Sequence, residues 1–416
     1  MAARKTPRLP PPPPRQGPRP LPLHLMAHVS TLMASLAALP SLRHGSPPWK
    51  PHLAAAEAEL RQSLAAAGPD AFERFTRAVM AEAASRHRAF LAGIVAYCRH
   101  PYRASPPAAR EVWRQGTTRL LDYGGDGEPV LVVPSLVNRA RVLDLLPEKS
   151  VMRHLAASGQ AAFLVDWDFP GPEETGFTLT DYVAVRLEAA FDAVVARTGR
   201  RPALIGYCMG GLLALALAQR RAAEVRGLVL LATPWNFHAG REAEARLLAA
   251  LAEPFGAAVA IMGALPVDLL QALFMALDPT LGPRKYIAFG GLDPASARAR
   301  EFVALEDWAN DGVPLAGPVA RECLFGWYGA NDPFEGRWRI DGTPVRPETI
   351  TVPTLAVVPL RDRIVPPESA LPLVERIPNC QLISARGGHV GMLLTQHAAS
   401  EVLEPISAWL LRSGGV

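Results

Sequence analysis

The sequence predicts an α/β fold: a mostly parallel sheet with helices on both faces, an inserted cap and a helical N-terminal extension. Three observations predict it. From about residue 118 short apolar runs alternate with helix-like stretches, the signature of parallel strands joined by crossover helices. At residues 206–211 a glycine-framed corner, Gly206-Tyr207-Cys208-Met209-Gly210-Gly211, joins one such run to a helix. Between about Trp235 and Ile350 the rhythm lapses, for roughly 115 residues, too long for a connecting loop.

Taken in order, residues 1–50 read as a disordered, basic, Pro-rich arm (five prolines from Pro10 to Pro14) followed by an apolar segment, Leu23 to Leu42. That segment has the basic front and apolar middle of a signal peptide, but the arm before it is long and Pro40 interrupts it. A surface-seeking helix, or one docked on the body, fits better. Residues 51–117 read as helical, with Leu53, Ala56, Leu60, Leu64, Phe72, Phe75 and Val79 at helical spacing. Residues 118–234 hold the first strands, at Val130–Val133, Ala162–Val165, Ala203–Ile205 and Leu228–Leu231, with helices expected over Val142–Ser158 and Leu179–Thr198. Residues 235–350 form the cap, whose aromatics (Phe255, Phe274, Trp308, Phe325, Trp327, Trp338) are read mostly as its core, with some lining a substrate channel. Residues 351–416 complete the sheet through Leu355–Val358 and Gln381–Ile383.

The corner at Cys208 is where chemistry is expected. A strand that turns sharply into a helix strains its corner residue and crowds the neighbours two positions away, and glycine at Gly206 and Gly210 relieves the crowding. The pattern is that of a nucleophile elbow with cysteine in place of serine. The amino end of the following helix favours a thiolate and can hold an oxyanion. Taken alone, the corner is as well explained by a Gly-rich turn around a buried, inert cysteine. The rest of the chain decides. Asp362 follows one predicted strand, in Leu360-Arg361-Asp362-Arg363, and His389 follows the next, in Gly387-Gly388-His389-Val390. The order nucleophile, acid, histidine is that of the α/β-hydrolase fold. The oxyanion donors expected are the backbone N–H groups of Met209 and Val137. Asp166, also at a strand end, is assigned a structural role, and His397 a place on a helix face.

Composition narrows the alternatives. The first 50 residues carry seven basic side chains and no acidic one, so without them the net charge of +4 becomes −3. The body is therefore not a basic surface, and nucleic acid is excluded as an expected partner. No uninterrupted apolar run reaches ~18 residues, so no transmembrane segment is expected. The four cysteines (Cys98, Cys208, Cys323, Cys380) are dispersed without a metal-binding spacing, which argues against a metal site or a disulfide framework and fits a reducing cytoplasm.

With these residues in view, the chain resembles the polyhydroxyalkanoate synthase family over roughly residues 110–410. The carriers are the elbow GYCMGG, the upstream segments VPSLVNRARVLDLLPEKSVMRHLAASG and FLVDWDFPGPEETGFTLTDYV, the cap stretch FVALEDWANDGVPLAGPV, and LRDRIVPPES with GGHVGM. The resemblance implies that Cys208 accepts an acyl group from a 3-hydroxyacyl-coenzyme A, that His389 deprotonates it, and that Asp362 helps activate the 3-hydroxyl that attacks next. It implies no cofactor beyond that coenzyme A thioester as substrate, and a homodimer. Asp168 stands where the family usually has glycine. Sulfur has its own logic here: moving the acyl group to Cys208 exchanges one thioester for another and keeps it reactive toward an alcohol. Two other functions use the same features. A hydrolase, either an intracellular polyester depolymerase or a thioesterase, would use the same three residues, with water at the second step. A non-catalytic protein binding polyester granules through Leu23–Leu42 would need none of them. Granule association is also compatible with catalysis.

Overall fold

Four wholly buried apolar runs make the middle of an eight-stranded sheet in the computed structural model, which describes residues 14–44, 50–107, 109–240, 242, 245, 250 and 252–413. The strands are β1 (Arg110–Gln115), β2 (Thr118–Asp122), β3 (Pro129–Val133), β4 (Ala161–Asp166), β5 (Ala203–Tyr207), β6 (Leu228–Leu231), β7 (Thr354–Pro359) and β8 (Cys380–Ala385). They lie in the order β1-β2-β4-β3-β5-β6-β7-β8. Neighbours from β4 to β8 are parallel, while β1 and β2 are antiparallel additions at one edge. Every residue of β3, β5, β6 and β7 is buried, as expected for strands covered on both faces.

The six strands read from apolar runs are present within a residue or two of their expected limits. The edge pair is an addition: β1, REVWRQ, is largely exposed and offers no apolar run to find. The helix expected over Val142–Ser158 is shorter, occupying only Val151–Ala157. Before it, Asp144–Leu146 and Lys149–Ser150 pair as a small hairpin. Asp144 is buried there and takes Arg153 Nε at 2.8 Å and the Tyr123 hydroxyl at 3.1 Å. Leu179–Thr198 is helical throughout, with a wide π-type stretch over Asp181–Leu187 that runs into Glu188–Thr198. His397 lies in a turn rather than on a helix face.

The chain gathers into two units. One comprises residues 104–270 and 308–416 and contains the sheet; the other comprises residues 1–103 and 271–307. Residues 271–307, from the middle of the insertion, thus pack with the N-terminal helices. The core of that second unit joins Phe90, Ile94 and Tyr97 of the helix Ala71–Arg99 to Tyr286, Phe289, Ala299 and Val303. Gly93 makes the crossing close: a Cβ there would fall 2.0 Å from the Tyr286 carbonyl oxygen. The preceding helix, Ala54–Ala66, buries no residue, so the spacing of Leu60 and Leu64 marks no core face.

The expected disorder of residues 1–22 does not extend to Arg15. Its guanidinium is buried, binds Asp307 through two nitrogens (2.5 and 2.7 Å) and donates to the carbonyls of His100 and Tyr102. Pro10 to Pro13 and the basic residues Arg4, Lys5 and Arg8 lie outside the described residues. The apolar segment forms a helix over Leu21–Ala37, then a second, Leu39–His44, that carries Pro40 at its second position, where proline is tolerated. By length and composition Leu21–Arg43 is apolar enough to cross a membrane, although its apolar residues do not form an uninterrupted run. Yet Leu21 and Leu25 pack on the Phe90 core and His24 and His28 are buried, so one face is committed to protein. Met26, Val29 and Met33 are exposed. Of the cap aromatics, Trp308, Trp327 and Trp338 are buried and Phe274 and Phe325 half-buried, while the side chain of Phe255 lies outside the described residues.

Candidate active site

β5 delivers Cys208 to the carboxyl edge of the sheet, where open α/β sheets collect their ligands. Cys208 has φ +55° and ψ −127°, a conformation that costs about 1–3 kcal/mol for a residue with a Cβ. Its surroundings enforce that conformation: its N–H donates to the Leu231 carbonyl (2.8 Å) and its own carbonyl accepts from the Gly211 N–H (2.9 Å). The flanking glycines are required by close approach. A Cβ on Gly206 would sit 2.4 Å from Gly211 Cα, and one on Gly210 would sit 2.1 Å from the Val133 carbonyl oxygen. Gly211 is pressed in the same way against the buried Thr233, whose Oγ1 would be 1.9 Å from an added Cβ. Helix Met209–Arg220 starts directly behind the sulfur.

The other two residues come from adjacent strand ends and meet. β7 and β8 are parallel neighbours, so the loops beyond them lie side by side, fastened by Leu360 N–H to the Ala385 carbonyl (3.0 Å) and Arg361 N–H to the Gly387 carbonyl (2.9 Å). Asp362 Oδ2 lies 2.7 Å from His389 Nδ1. Asp362 Oδ1 accepts the N–H groups of Ile364 (2.8 Å) and Val365 (2.9 Å), which fixes the carboxylate plane. Both side chains are buried. With Nδ1 committed to the carboxylate, Nε2 is the ring nitrogen left for Cys208, which interacts electrostatically with the imidazole. Burial pushes the His389 pKa down, but the interaction with Cys208 and the hydrogen bond to Asp362 outweigh it and raise the imidazole to about 10.

Burial pushes up the thiols of the other three cysteines, Cys98, Cys323 and Cys380, the last to about 11. None of them has the elbow geometry. One participant went unread in the sequence: Tyr207, the variable position of the elbow, donates its hydroxyl to the His389 carbonyl (3.2 Å) and packs its ring 5.2 Å from the imidazole. Nothing in the motif marks that residue, since the contact is made by the loop after β8.

The oxyanion donors divide. Met209 N–H is the first of its helix and has no intrahelical acceptor. Val137 N–H instead donates to Ser135 Oγ at 3.1 Å, so it serves an oxyanion only if that bond is exchanged. Its loop is fixed at both sides: the Val137 carbonyl accepts from Val313 N–H (3.4 Å), and Arg139 pairs with Asp168 (3.0 Å) and Asp311 (2.8 Å). Asp168 has φ +56°, a left-handed conformation suited to glycine but tolerable for aspartate. Its carboxylate also accepts the Phe169 N–H (2.9 Å). Asp166 pairs with Arg119 and accepts the Asp168 N–H, the loop-fixing part expected of it. Among the described residues no group of three or more metal-ligating side chains converges.

The family model for the alpha/beta hydrolase fold matches residues 128–394. Among curated proteins, the poly(3-hydroxyalkanoate) polymerase subunit PhaC of Allochromatium vinosum is 30% identical over 288 residues, 68% of this chain and 80% of that protein. The protein of the same name from Synechocystis is 31% identical over 291 residues, 68% of this chain and 77% of that one. The one from Haloferax mediterranei is 28% identical over 315 residues, 72% of this chain and 62% of that one.

Proposed function

Because the chain belongs to the poly(3-hydroxyalkanoate) polymerase family, on the alpha/beta hydrolase fold, we propose that it polymerises 3-hydroxyacyl-coenzyme A through an acyl thioester on Cys208. The observation that carries the mechanism is the 2.7 Å contact of Asp362 with His389 beside a cysteine held on a strained elbow. The Cys208 thiolate attacks the thioester carbonyl. Its oxyanion is held by the Met209 N–H, with Val137 as the second donor once its N–H leaves Ser135 Oγ. As the C–S bond to coenzyme A breaks, the His389 imidazolium gives its proton to the departing sulfur. Acylation masks the Cys208 sulfur, whose interaction raises the imidazole's proton affinity, so the group that has just acted as acid is left as a base. It then takes the proton of the incoming 3-hydroxyl, with Asp362 steadying the imidazolium that forms. The alkoxide attacks the Cys208 acyl carbon, the ester forms, and the thiolate returns.

Water in place of the hydroxyl would make the same site a thioesterase or depolymerase. The test is the product made from 3-hydroxybutyryl-coenzyme A. Insoluble polyester formed with coenzyme A release supports the polymerase; free hydroxy acid as the sole acyl product overturns it. A homodimer, and residence in the cytoplasm, stand as proposals drawn from the resemblance and from the dispersed cysteines. Granule association is proposed to use the exposed Met26, Val29 and Met33. Met26→Glu with Met33→Glu is then expected to lower the fraction co-sedimenting with polyester particles while turnover of soluble substrate persists. Deleting the whole segment would not test this, because Leu21 and Leu25 belong to a core.

A further inference from the structure

The corner after β5 needs glycine at 206 and 210 and a strained residue at 208, but it leaves position 207 open. Tyrosine stands there. We infer that Tyr207 is a positioning residue, which holds the His389 imidazole on the Cys208 sulfur during both acyl transfers. The inference rests on acyl transfer at Cys208 and adds the group that keeps its imidazole in place.

The need for such a group follows from the sheet. β6 and β7 lie between β5, which ends in Tyr207, and β8, whose following loop carries His389. The bonds from Leu360 N–H to Ala385 and from Arg361 N–H to Gly387 join that loop to the one after β7. The bonds of the elbow run from Cys208 N–H to Leu231 on β6 and from Gly211 N–H to Cys208. Neither set spans the gap between sulfur and imidazole. Asp362 holds the ring at Nδ1 alone (2.7 Å), so the ring can still tilt, and can shift with its backbone, carrying Nε2 off the sulfur.

Tyr207 spans the gap twice. Its hydroxyl donates to the His389 carbonyl (3.2 Å) and fixes the backbone from which the imidazole hangs. Its ring lies 5.2 Å from the imidazole at an interplanar angle of 33° and closes one face against tilting. The side chain is buried, so both contacts are made out of water, where a hydrogen bond is stronger. Burial, with Cys208 and Asp362 close by, pushes the phenol pKa well above its ordinary value, and the hydroxyl keeps its proton as a donor. Because Tyr207 precedes Cys208 in the chain, a shift of the elbow carries the His389 anchor with it. That matters for rate, since a misplacement of about 1 Å can slow a transfer step about 10²-fold.

The test reads the rate at which iodoacetamide alkylates Cys208 in the full-length protein without substrate, by mass mapping of the modified peptide. Tyr207→Phe keeps the ring and loses the hydroxyl, whereas Tyr207→Leu loses both. Alkylation is expected to slow about threefold in the first and about tenfold or more in the second, because a misaligned imidazole no longer draws the proton from the thiol. The kcat for coenzyme A release is expected to fall in the same order with KM unchanged. His389→Gln supplies the readout that a merely structural tyrosine would not move. By itself it should slow alkylation about tenfold or more, and adding Tyr207→Leu should then change the rate by less than about twofold. A further loss of about tenfold in that background, wild-type alkylation in both Tyr207 variants, or undiminished alkylation in His389→Gln would overturn the proposal. Tyr207→Phe guards against a leucine variant that fails to fold. Alkylation needs no turnover, so a failure of acyl transfer is read separately, as absence of coenzyme A release from 3-hydroxybutyryl-coenzyme A by the unmodified protein.

Discussion

Replacing Cys208 by alanine is expected to lower coenzyme A release by about 10⁴-fold or more while leaving the fold intact. The size follows from the role: no other described nucleophile faces His389 from an elbow, so losing the sulfur removes the acyl acceptor rather than weakening it. The fold persists because the bonds that set the corner are backbone bonds, from Cys208 N–H to Leu231 and from Gly211 N–H to the Cys208 carbonyl. Alanine carries the same Cβ at φ +55° and meets the same strain. Thiol release measured beside a urea denaturation curve checks both halves. Undiminished release would place the acyl acceptor elsewhere.

His389→Gln is expected to cost about 10²–10⁴-fold in the same assay, since one ring acts as acid in the first step and base in the second. The pH dependence carries a further sign. The His389 pKa is raised in the folded protein from the ordinary 6.5 to about 10. Its contribution to stability is therefore complete below about pH 6.5 and is lost as pH rises through about 10. The stability gap between the wild-type protein and His389→Gln should accordingly narrow over that window, as read from urea midpoints at several pH values. A gap that widened with pH would mean that the histidine is held neutral, and the imidazolium beside Cys208 would have to be abandoned.

What the sequence displayed depended on whether a residue's role was local. Leu228–Leu231 and Thr354–Pro359 are buried on both faces, so their own composition announces them. Strand Arg110–Gln115 pairs at an exposed edge and its side chains alternate too weakly to be heard. Val142–Leu146 looked helical because it is apolar; the hairpin there is fixed by Asp144 reaching Tyr123 and Arg153, partners that no local pattern reveals. The elbow was readable because glycines at Gly206 and Gly210 are the local cost of a sharp corner. Asp362 and His389 were readable from their places after strands, and the structure brings them into contact. Val137 was placed by analogy of position alone, and a neighbouring hydroxyl, Ser135 Oγ, decided where its N–H points. The packing of residues 271–307 with the N-terminal helices was hidden for the same reason: it is set by Gly93 against Tyr286, a contact between distant segments.

The central claim is that Cys208 carries the acyl group between coenzyme A and the polyester. The measurement that tests it most directly is rapid acid quenching of the protein with 3-hydroxybutyryl-coenzyme A, followed by intact-mass and peptide mapping. A hydroxybutyryl adduct, or a short chain of such units, on the Cys208 peptide within the time of one turnover is the predicted result. Coenzyme A release with no adduct on Cys208, or with the acyl group on another residue, would contradict it.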